Sequence, residues 1–125
     1  MNLLLDTHIY LWWLIDSPAL PKQADRMIED ADQVFVSVVS FWEAGIKWRA
    51  GKLPVSPEIM AEGMNQNGLI TLPVNLAHTL QLNQLPDHHR DPFDRMLVAQ
   101  AMAEPMFLLT SNRALASYGD WVRLV

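Results

Sequence analysis

The sequence predicts an α/β protein, with a parallel sheet of about four to five strands covered by helices on both faces. Two short, continuous apolar runs, residues 3–5 and 34–36, have the length and composition of strands that are buried on both faces. Longer amphipathic segments separate the apolar runs, and helices of this kind connect parallel strands. At 125 residues the chain is long enough for one core, so we expect a single domain over residues 1–125.

Short apolar strands and capped helices alternate through the first half of the chain. Ser37 or Ser40 is the N-cap of a helix that runs to residue 50, because serine is a preferred capping residue. Gly51 is placed to adopt the left-handed conformation just past the end of that helix. The other elements predicted before residue 52 are strands at 3–5 and 34–36 and helices at 8–15 and 22–31.

Prolines and capping residues mark the elements of the second half. Ser56 and Pro57 have the order of an N-cap and a first helical residue, and this helix ends at residues 67–68. Asp91 and Pro92 repeat that order at the start of a strongly apolar helix, which stops before residue 105. The remaining predicted elements are a strand at 69–74, a helix to residue 82 capped by Asn75, a strand at 106–109, a short helix to residue 117 capped by Ser111, and a strand at 121–125.

The composition excludes several classes of protein. The chain has no cysteine, so it has no disulfide, no thiolate chemistry and no cysteine zinc site, which suits the cytoplasm. The N-terminus reaches Asp6 without a basic region, so we expect no secretory signal. No stretch approaches the roughly 20 apolar residues of a membrane span. The net charge of −5 has the wrong sign for holding nucleic acid by bulk electrostatics, so a phosphate ligand needs a local basic patch or a bound cation.

Three acids lie where the ends of parallel strands are expected to converge. Asp6 directly follows the first strand, Glu43 lies in the helix after the second strand, and Asp94 lies in the first turn of the helix that leads into the fourth. In an open parallel sheet, ligands bind outside the carboxyl ends of the strands, near the point where strand order reverses. Acids from three distant segments would repel one another at such an edge unless a cation lies between them.

Each acid also has a purely structural interpretation. Asp6 is a preferred N-cap residue, and Asp94 is at a third helical position, where it can close a capping box or favour the helix dipole. Glu43 has the capping-box spacing from Ser40 and the ion-pair spacing from Lys47. These interpretations stay open for each acid alone, and the metal hypothesis depends on the three together.

The available side chains indicate magnesium or manganese rather than zinc. Carboxylate oxygens are the ligands that these ions prefer, whereas the chain has no cysteine and no helical His-Glu-x-x-His arrangement. Asp91 is a further candidate ligand, although its position also explains it as a helix cap. His88 and His89 are able to ligate a metal, but histidines in a loop before a helix are more often polar surface residues.

Three blocks of sequence carry a family resemblance. They are residues 3–8, residues 40–47 with 51–53, and residues 89–95 continuing through 99–101, and the Asp-Pro-Phe-Asp-Arg segment is the most specific part. In order and over essentially the whole chain, they resemble the PIN-domain ribonucleases and, more closely, the VapC-type toxins of bacterial type II toxin-antitoxin pairs. The resemblance implies a three-layer α/β sandwich and Mg²⁺- or Mn²⁺-dependent endonucleolytic hydrolysis of RNA. It also implies a cognate antitoxin and a second copy of the chain, in a homodimer, as partners.

The resemblance carries the acidic cluster of the family onto Asp6, Glu43 and Asp94, as catalytic residues and metal ligands. A further acid usually follows the fourth strand in a Thr-x-Asp setting, and here that position is Asn112. Asparagine offers a carbonyl oxygen without the charge, which speaks against a tightly held second metal. The residues expected to position water or substrate are Thr7, Thr110 and Ser111, and those expected to contact RNA phosphates are Lys47, Arg90, Arg95 and Arg113.

The tryptophans of the first half have two interpretations. Packing in or beside the core is the ordinary role of Trp12, Trp13, Trp42 and Trp48. The resemblance suggests in addition that they form an apolar groove for an antitoxin peptide.

Three other functions compete with a nuclease. A phosphoacceptor receiver domain needs an acidic pair near the first strand and a lysine after a late strand, but residues 110–113 contain no lysine. A haloacid-dehalogenase-like phosphatase needs a second aspartate two residues after its nucleophile, where this chain has His8. The third alternative is a non-catalytic PIN-like binding module whose metal site is impaired by Asn112.

Overall fold

A computed structural model describes all residues from 1 to 125 and contains one five-stranded sheet. The strands are β1 (Asn2–Leu5), β2 (Gln33–Ser37), β3 (Ile70–Leu72), β4 (Phe107–Thr110) and β5 (Val122–Leu124). Every strand pair is parallel, and the strand order is β3-β2-β1-β4-β5, with β1 in the centre. The parallel sheet predicted from the sequence is therefore confirmed.

Six α-helices and one 3₁₀ helix connect the strands. They are α1 (Thr7–Leu14), α2 (Lys22–Asp30), α3 (Val38–Arg49), α4 (Pro57–Asn67), α5 (Leu76–Asn83), α6 (Pro92–Ala103) and the 3₁₀ helix (Arg113–Tyr118). Their ends lie within two residues of the predicted ends, because apolar periodicity and capping residues are local signals. None of the helices has the length and apolar character needed to cross a membrane.

Capping residues decide where most helices begin. Ser37, not Ser40, is the N-cap of α3, and its hydroxyl oxygen accepts a hydrogen bond from the Val39 amide at 3.1 Å. Ser56 and Asn75 cap α4 and α5 as predicted. Each of these side chains satisfies a backbone donor that the first helical turn leaves free.

Two local predictions are wrong. Ser111 does not cap the helix after β4: the side-chain oxygen of Asn112 accepts the Ala114 amide at 3.1 Å, and the helix is a 3₁₀ helix. Serine and asparagine are both preferred caps, so the sequence does not distinguish these neighbours. The third strand, expected over residues 69–74, pairs only over Ile70–Leu72. It is an edge strand, and Pro73 has no amide hydrogen with which to extend the pairing.

Alternation along β1 divides the core into two layers. Leu3 and Leu5 pack among apolar side chains of α1, α2 and α4 on one face of the sheet. Leu4 packs among those of α6 and the 3₁₀ helix on the other face. All three leucines are fully buried, so β1 is covered on both faces and paired on both edges. The residue that follows β1 is therefore held in a rigid place.

The strand order reverses between β1 and β4. From β1 the chain adds β2 and β3 on one side, and it then crosses to place β4 and β5 on the other side. Connections that leave in opposite directions open a crevice outside the carboxyl ends of the two strands at the reversal. Residues that follow β1 and β4 therefore border a common opening.

Candidate active site

Asp6 follows β1 at this reversal and is fixed by groups from both neighbouring elements. Its amide donates to the Leu109 carbonyl of β4 at 3.1 Å. Its Oδ1 accepts the Ile9 amide at 2.8 Å and so caps α1, while Oδ2 accepts the hydroxyl hydrogen of Thr110. The cap interpretation is correct, and the same contacts make Asp6 a rigid, buried carboxylate at the edge of the sheet.

Glu43 lies on the second turn of α3 with both oxygens hydrogen-bonded. Oε2 accepts from Lys47 Nζ at 2.9 Å, so the ion pair indicated by the spacing is present; a capping box is not, because Ser37 is the cap. Oε1 accepts from the Thr7 hydroxyl at 2.7 Å, and Thr7 Oγ1 lies 2.9 Å from Ser40 Oγ. Because a carboxylate only accepts, Thr7 donates its single proton to Glu43, and the Ser40 hydroxyl is left to donate to Thr7.

Asp94 lies in the first turn of α6, directly after the residues that start the helix. Asp91 is the N-cap, with Oδ1 accepting the Phe93 and Asp94 amides at 2.8 and 3.1 Å. Asp94 forms no capping box with Asp91. Instead its Oδ2 lies 3.0 Å from Nε2 of His89, in the loop that precedes the helix. The Asp94 side chain is 19% exposed, and it is more open to solvent than Asp6 or Glu43.

The three acids line one cavity of about 310 Å³ at the reversal of strand order. The other residues that line it are His8, Trp12, Lys47, Asp91, Ser111 and Asn112. Only one of the nine lining residues is hydrophobic. A cavity of this composition suits a hydrated cation or a phosphate, whereas sites for apolar small molecules are lined mainly by hydrophobic side chains.

Burial raises the pKa of Asp6 above its ordinary value. Loss of solvation is the largest cause, and the hydrogen bonds from Thr110 and the Ile9 amide oppose it, as does the charge of His8. The charge of Asp94 raises the pKa of Asp6 further. Asp94 is therefore close enough to disfavour the ionisation of Asp6.

The pKa of Asp94 is raised for similar reasons. Loss of solvation is again the largest cause, and the hydrogen bond from His89 opposes it. The charges of Asp91 and Glu43 both raise the pKa of Asp94. Neighbouring carboxylates thus disfavour the ionisation of Asp6 and Asp94 in this cavity, and a cation between the acids would relieve that repulsion.

The chemistry of these donors fits a hard divalent cation, although the acids form no closed cage. No group of three acidic or histidine side chains is close enough together to hold a metal ion as a complete ligand set. Mg²⁺ keeps several of its waters and takes only a few carboxylates directly. A magnesium ion bound partly through water is therefore compatible with this arrangement of Asp6, Glu43 and Asp94.

The other residues predicted for the site fall into two positions. Lys47, Ser111 and Asn112 line the cavity. Thr7 and Thr110 do not line it: they lie behind the acids and donate hydrogen bonds to Glu43 and Asp6 respectively. Their hydroxyls therefore orient carboxylates rather than face the solvent of the cavity.

The three arginines predicted to contact RNA lie outside the cavity. Arg90 and Arg113 have exposed side chains and are free of ion pairs. The side chain of Arg95 is 16% exposed, and its Nη1 lies 2.9 to 3.4 Å from two loop carbonyl oxygens and a tyrosine hydroxyl. The guanidinium of Arg95 is thus occupied by the loop before α6.

The four tryptophans do not share one groove. Trp42 and Trp48 line a common surface groove with apolar side chains of α3 and Pro57. Trp12 lines the acidic cavity, and both Trp12 and Trp13 pack beside the core. An apolar groove for a peptide therefore involves two of the four tryptophans at most.

Three residues lie closer to the acids than the sequence predicted. His8 and Trp12 both line the cavity, with ring centroids 5.9 Å apart. The sequence contained a signal for this position: His8 and Trp12 are four residues apart in the helix that follows Asp6, so they lie on one face of it. His89 was interpreted as polar surface, and its contact with Asp94 follows from the path of a loop that has no periodic signal.

The parallel sheet and the cavity at the reversal of strand order are features of the open α/β proteins, and the comparison with known families is more specific. The model of the PIN domain family matches residues 3–120, so the chain belongs to that family. Ribonuclease VapC22 of Mycobacterium tuberculosis is 30% identical over an alignment of 125 positions, which covers 94% of this chain and 92% of that protein. The chain is a VapC-like member of the PIN family.

Solved structures of toxin-antitoxin proteins share the fold. DNA-bound VapBC from Salmonella typhimurium contains a chain with a TM-score of 0.71 and 16% identity, over 100% of this chain and 97% of that chain. VapBC2 from Rickettsia felis, bound to a promoter DNA fragment, contains a chain with a TM-score of 0.70 and 14% identity. The match covers 100% of this chain and 98% of that chain. At these identities the similarity shows the fold alone, and it confirms the expected PIN-like sandwich.

Proposed function

We propose that residues 1–125 form a single domain that acts as a metal-dependent endoribonuclease, the toxin of a toxin-antitoxin pair. The observation that carries the proposal is the cavity at the reversal of strand order, lined by Asp6, Glu43 and Asp94. Membership of the PIN family and 30% identity to a VapC ribonuclease support the same activity.

In this proposal Asp6, Glu43 and Asp94 hold Mg²⁺ or Mn²⁺, with Asp91 and Asn112 at the border of the same cavity. When bound, the ion supplies an acidified water as nucleophile and offsets the charge that develops on the attacked phosphate. The acids keep their positions, because each is held by a hydrogen bond from a neighbouring side chain.

The hydroxyls and bases around the acids have separate tasks. Thr7 and Thr110 hold Glu43 and Asp6, and Ser111 on the cavity wall is placed to bond a water or a substrate oxygen. Lys47 brings the only basic side chain of lysine or arginine to the cavity wall. Arg90 and Arg113, which are exposed, are the further candidates for phosphate contact.

An acidic chain binds RNA only if its site is locally attractive. The net charge of −5 opposes approach of a polyanion. A bound cation and Lys47 offset the negative charge of the carboxylates that line the cavity, which makes the site less repulsive to a phosphate. Cleavage and RNA binding should therefore depend on the same metal.

A second candidate function is a PIN-like module that binds without cutting. Two observations favour it: Asn112 replaces the usual acid after β4, and no three acidic or histidine side chains form a ready metal-ligand set. Asn112 also uses its side-chain oxygen to cap the 3₁₀ helix. This candidate predicts a stable fold with neither metal binding nor cleavage.

Protein partners are proposed from the relatives and from exposed apolar surface. The structural neighbours named above are toxin-antitoxin complexes, and we propose a cognate antitoxin and a homodimer for this chain, acting in the cytoplasm. Trp42, Ile46 and Trp48 on α3 are 65%, 51% and 43% exposed, and Leu76 and Leu80 on α5 are 73% and 55% exposed. Exposed apolar side chains in such number support contacts with other proteins.

The test is cleavage of RNA by the purified chain with and without Mg²⁺. We expect discrete new RNA ends with wild type, none after chelation, and none with Asp6→Asn or Asp94→Asn, which retain the shape of the acids. Asp25→Asn is the matched control, because Asp25 is an exposed acid beside a different cavity. Metal-independent cleavage, or full activity in both site variants, would contradict the proposal, and a folded wild type that neither binds metal nor cuts would favour the second candidate.

A further inference from the structure

The loop before α6 is braced by one arginine. Nη1 of Arg95 lies 2.9 Å from the Pro86 carbonyl oxygen and 3.4 Å from the His89 carbonyl oxygen. The same nitrogen donates to the Tyr118 hydroxyl oxygen at 3.0 Å. A largely buried guanidinium with three oxygen partners holds the loop backbone against α6 and the 3₁₀ helix.

The braced loop places two neighbouring histidines in different surroundings. The exposed ring of His88 packs against Tyr118, with centroids 5.1 Å apart, and makes no contact with an acid. His89 is turned the other way, and its Nε2 lies 3.0 Å from Asp94 Oδ2. Residues of one type, adjacent in sequence, therefore provide a matched comparison.

The contact with His89 makes Asp94 different from the other two acids. Asp6 and Glu43 each have both oxygens hydrogen-bonded within the protein. Asp94 has a single side-chain partner, His89, which bonds Oδ2. The other oxygen, Oδ1, is the one left for a ligand in the cavity. Because His89 holds Oδ2, it sets the plane of the carboxylate and hence the direction of Oδ1.

We propose that His89 is the positioning residue of Asp94, and that its Nε2–H directs Asp94 Oδ1 toward the divalent cation of the cavity. This inference rests on the proposed function, because it needs that cation. Arg95 acts one step further out, by holding the carbonyl of His89, and this task replaces the RNA contact expected for Arg95 from the sequence. What His89 supplies is a hydrogen-bond donor, so a neutral donor at the same place does the same work.

The physical reason lies in how metal ligands are oriented. A carboxylate on a flexible side chain must lose rotational freedom before it binds an ion, and an outer hydrogen bond removes that freedom in advance. Loss of such a bond typically weakens metal binding or activity by about 10–100-fold. The bond to His89 is the only one that performs this task for Asp94.

The experiment is a calorimetric titration of the metal-free chain with Mn²⁺. We expect the Kd of His89→Ala to be about 10–100-fold weaker than that of wild type. His89→Gln keeps an N–H close to the position of Nε2, and we expect it to recover most of the affinity. His88→Ala should bind as wild type does, because His88 touches no acid.

The outcomes separate this inference from the proposed function. A wild type that binds no Mn²⁺ overturns both. A wild type that binds, with His89→Ala binding equally well, overturns the role of His89 alone. A His89→Gln variant as weak as His89→Ala overturns the hydrogen-bond explanation. Circular-dichroism melting of each metal-free variant shows whether it folds.

A double-mutant cycle tests the part assigned to Arg95. Arg95→Ala should weaken Mn²⁺ binding in the wild-type background and have no further effect in the His89→Ala background, because residues that act through one contact are not additive. Tyr118→Phe, which removes one partner of Arg95 and keeps the ring, is the milder variant should Arg95→Ala unfold the chain. Additive losses in either cycle overturn an action of Arg95 through His89.

Discussion

The two sides of the acidic cavity are built in different ways. On the β1 side, Asp6 and Glu43 are 6% and 5% exposed, and groups of the sheet edge and the first helices bond all four of their side-chain oxygens. On the α6 side, Asp94 is 19% exposed and is held by one histidine from a loop. The β1 side is preorganised, whereas the α6 side is adjustable. We therefore expect changes on the first side to affect folding and changes on the second to affect metal binding.

Thr110→Val should have the largest effect, because it removes a hydrogen bond that holds Asp6 on the β1 side of the cavity. The substitution removes the donor to Asp6 Oδ2 and the acceptor of the Asn112 amide. A hydrogen bond to a buried charged group contributes about 1.5–3 kcal/mol, so we expect the free energy of unfolding to fall by about 3 kcal/mol. Urea denaturation measures this loss. Thr110→Ser keeps the hydroxyl and is the control; equal losses in the two variants would contradict the role given to this hydrogen bond.

Mg²⁺ should stabilise the folded chain through the adjustable side. A ligand present at about 100 times its Kd adds about 2.7 kcal/mol to the free energy of unfolding if it binds only the folded state. We expect the melting temperature of wild type to rise accordingly with Mg²⁺, and the rise to be mostly lost in Asp94→Asn. A rise of equal size in Asp94→Asn would place the cation away from Asp94.

Asn112→Asp should affect metal binding and leave the fold unchanged, because it adds a charge to the wall of the cavity that Asp6 and Asp94 also line. Asn112 lines the cavity, and an aspartate there also caps the 3₁₀ helix, so we expect the fold to keep its stability. The added carboxylate should tighten Mn²⁺ binding about tenfold, which corresponds to about 1.4 kcal/mol. Calorimetry that finds the same Kd for both proteins would show that Asn112 is remote from the ion.

The smallest effect concerns pH. The pKa of Asp94 is raised above 3.8, so in the metal-free protein the folded chain keeps a proton that the unfolded chain has already lost. The contribution of Asp94 is therefore most favourable below the unfolded pKa and falls as pH rises through the folded pKa. Asparagine does not ionise, so Asp94→Asn should gain stability relative to wild type as pH is raised above 3.8.

Urea denaturation at a series of pH values without metal checks this difference. Solvent screens a partly exposed carboxylate, which keeps the effect small. A difference between wild type and Asp94→Asn that does not vary with pH would contradict the raised pKa of Asp94.

Much of the fold follows from local signals in the sequence. The run Leu3-Leu4-Leu5 predicts a strand buried on both faces, and Asp91 with Pro92 predicts the start of α6, as found. The positions of Asp6 and Asp94 relative to strands and helices also predict that both border the end of the sheet. Each of these inferences uses a residue and its near neighbours in the chain, which is why it survives without knowledge of tertiary contacts.

The roles that were missed depend on loops and on contacts between distant segments. Arg95 was expected at RNA phosphates, yet its guanidinium is bound by carbonyl oxygens of the loop before α6. The path of that loop cannot be predicted from periodicity in the sequence. Trp12 packs beside the core as expected, but its second position, on the wall of the acidic cavity, was not predicted, because the turn of α1 and not the residue type decides which side it faces.

By itself, the sequence determined the parallel α/β sheet, most of the helix caps and the set of three acids that line the cavity, because spacing and residue type act over one or two turns of chain. Tertiary structure alone decided which side chains from distant segments hold those acids. Thr7 donates a hydrogen bond to Glu43, which is 36 residues away in the sequence, and Thr110 donates one to Asp6, which is 104 residues away. His89 contacts Asp94 from a loop whose backbone is bonded by Arg95. Hydrogen bonds of this kind form where separate elements pack together, so the fold must be in place before they exist.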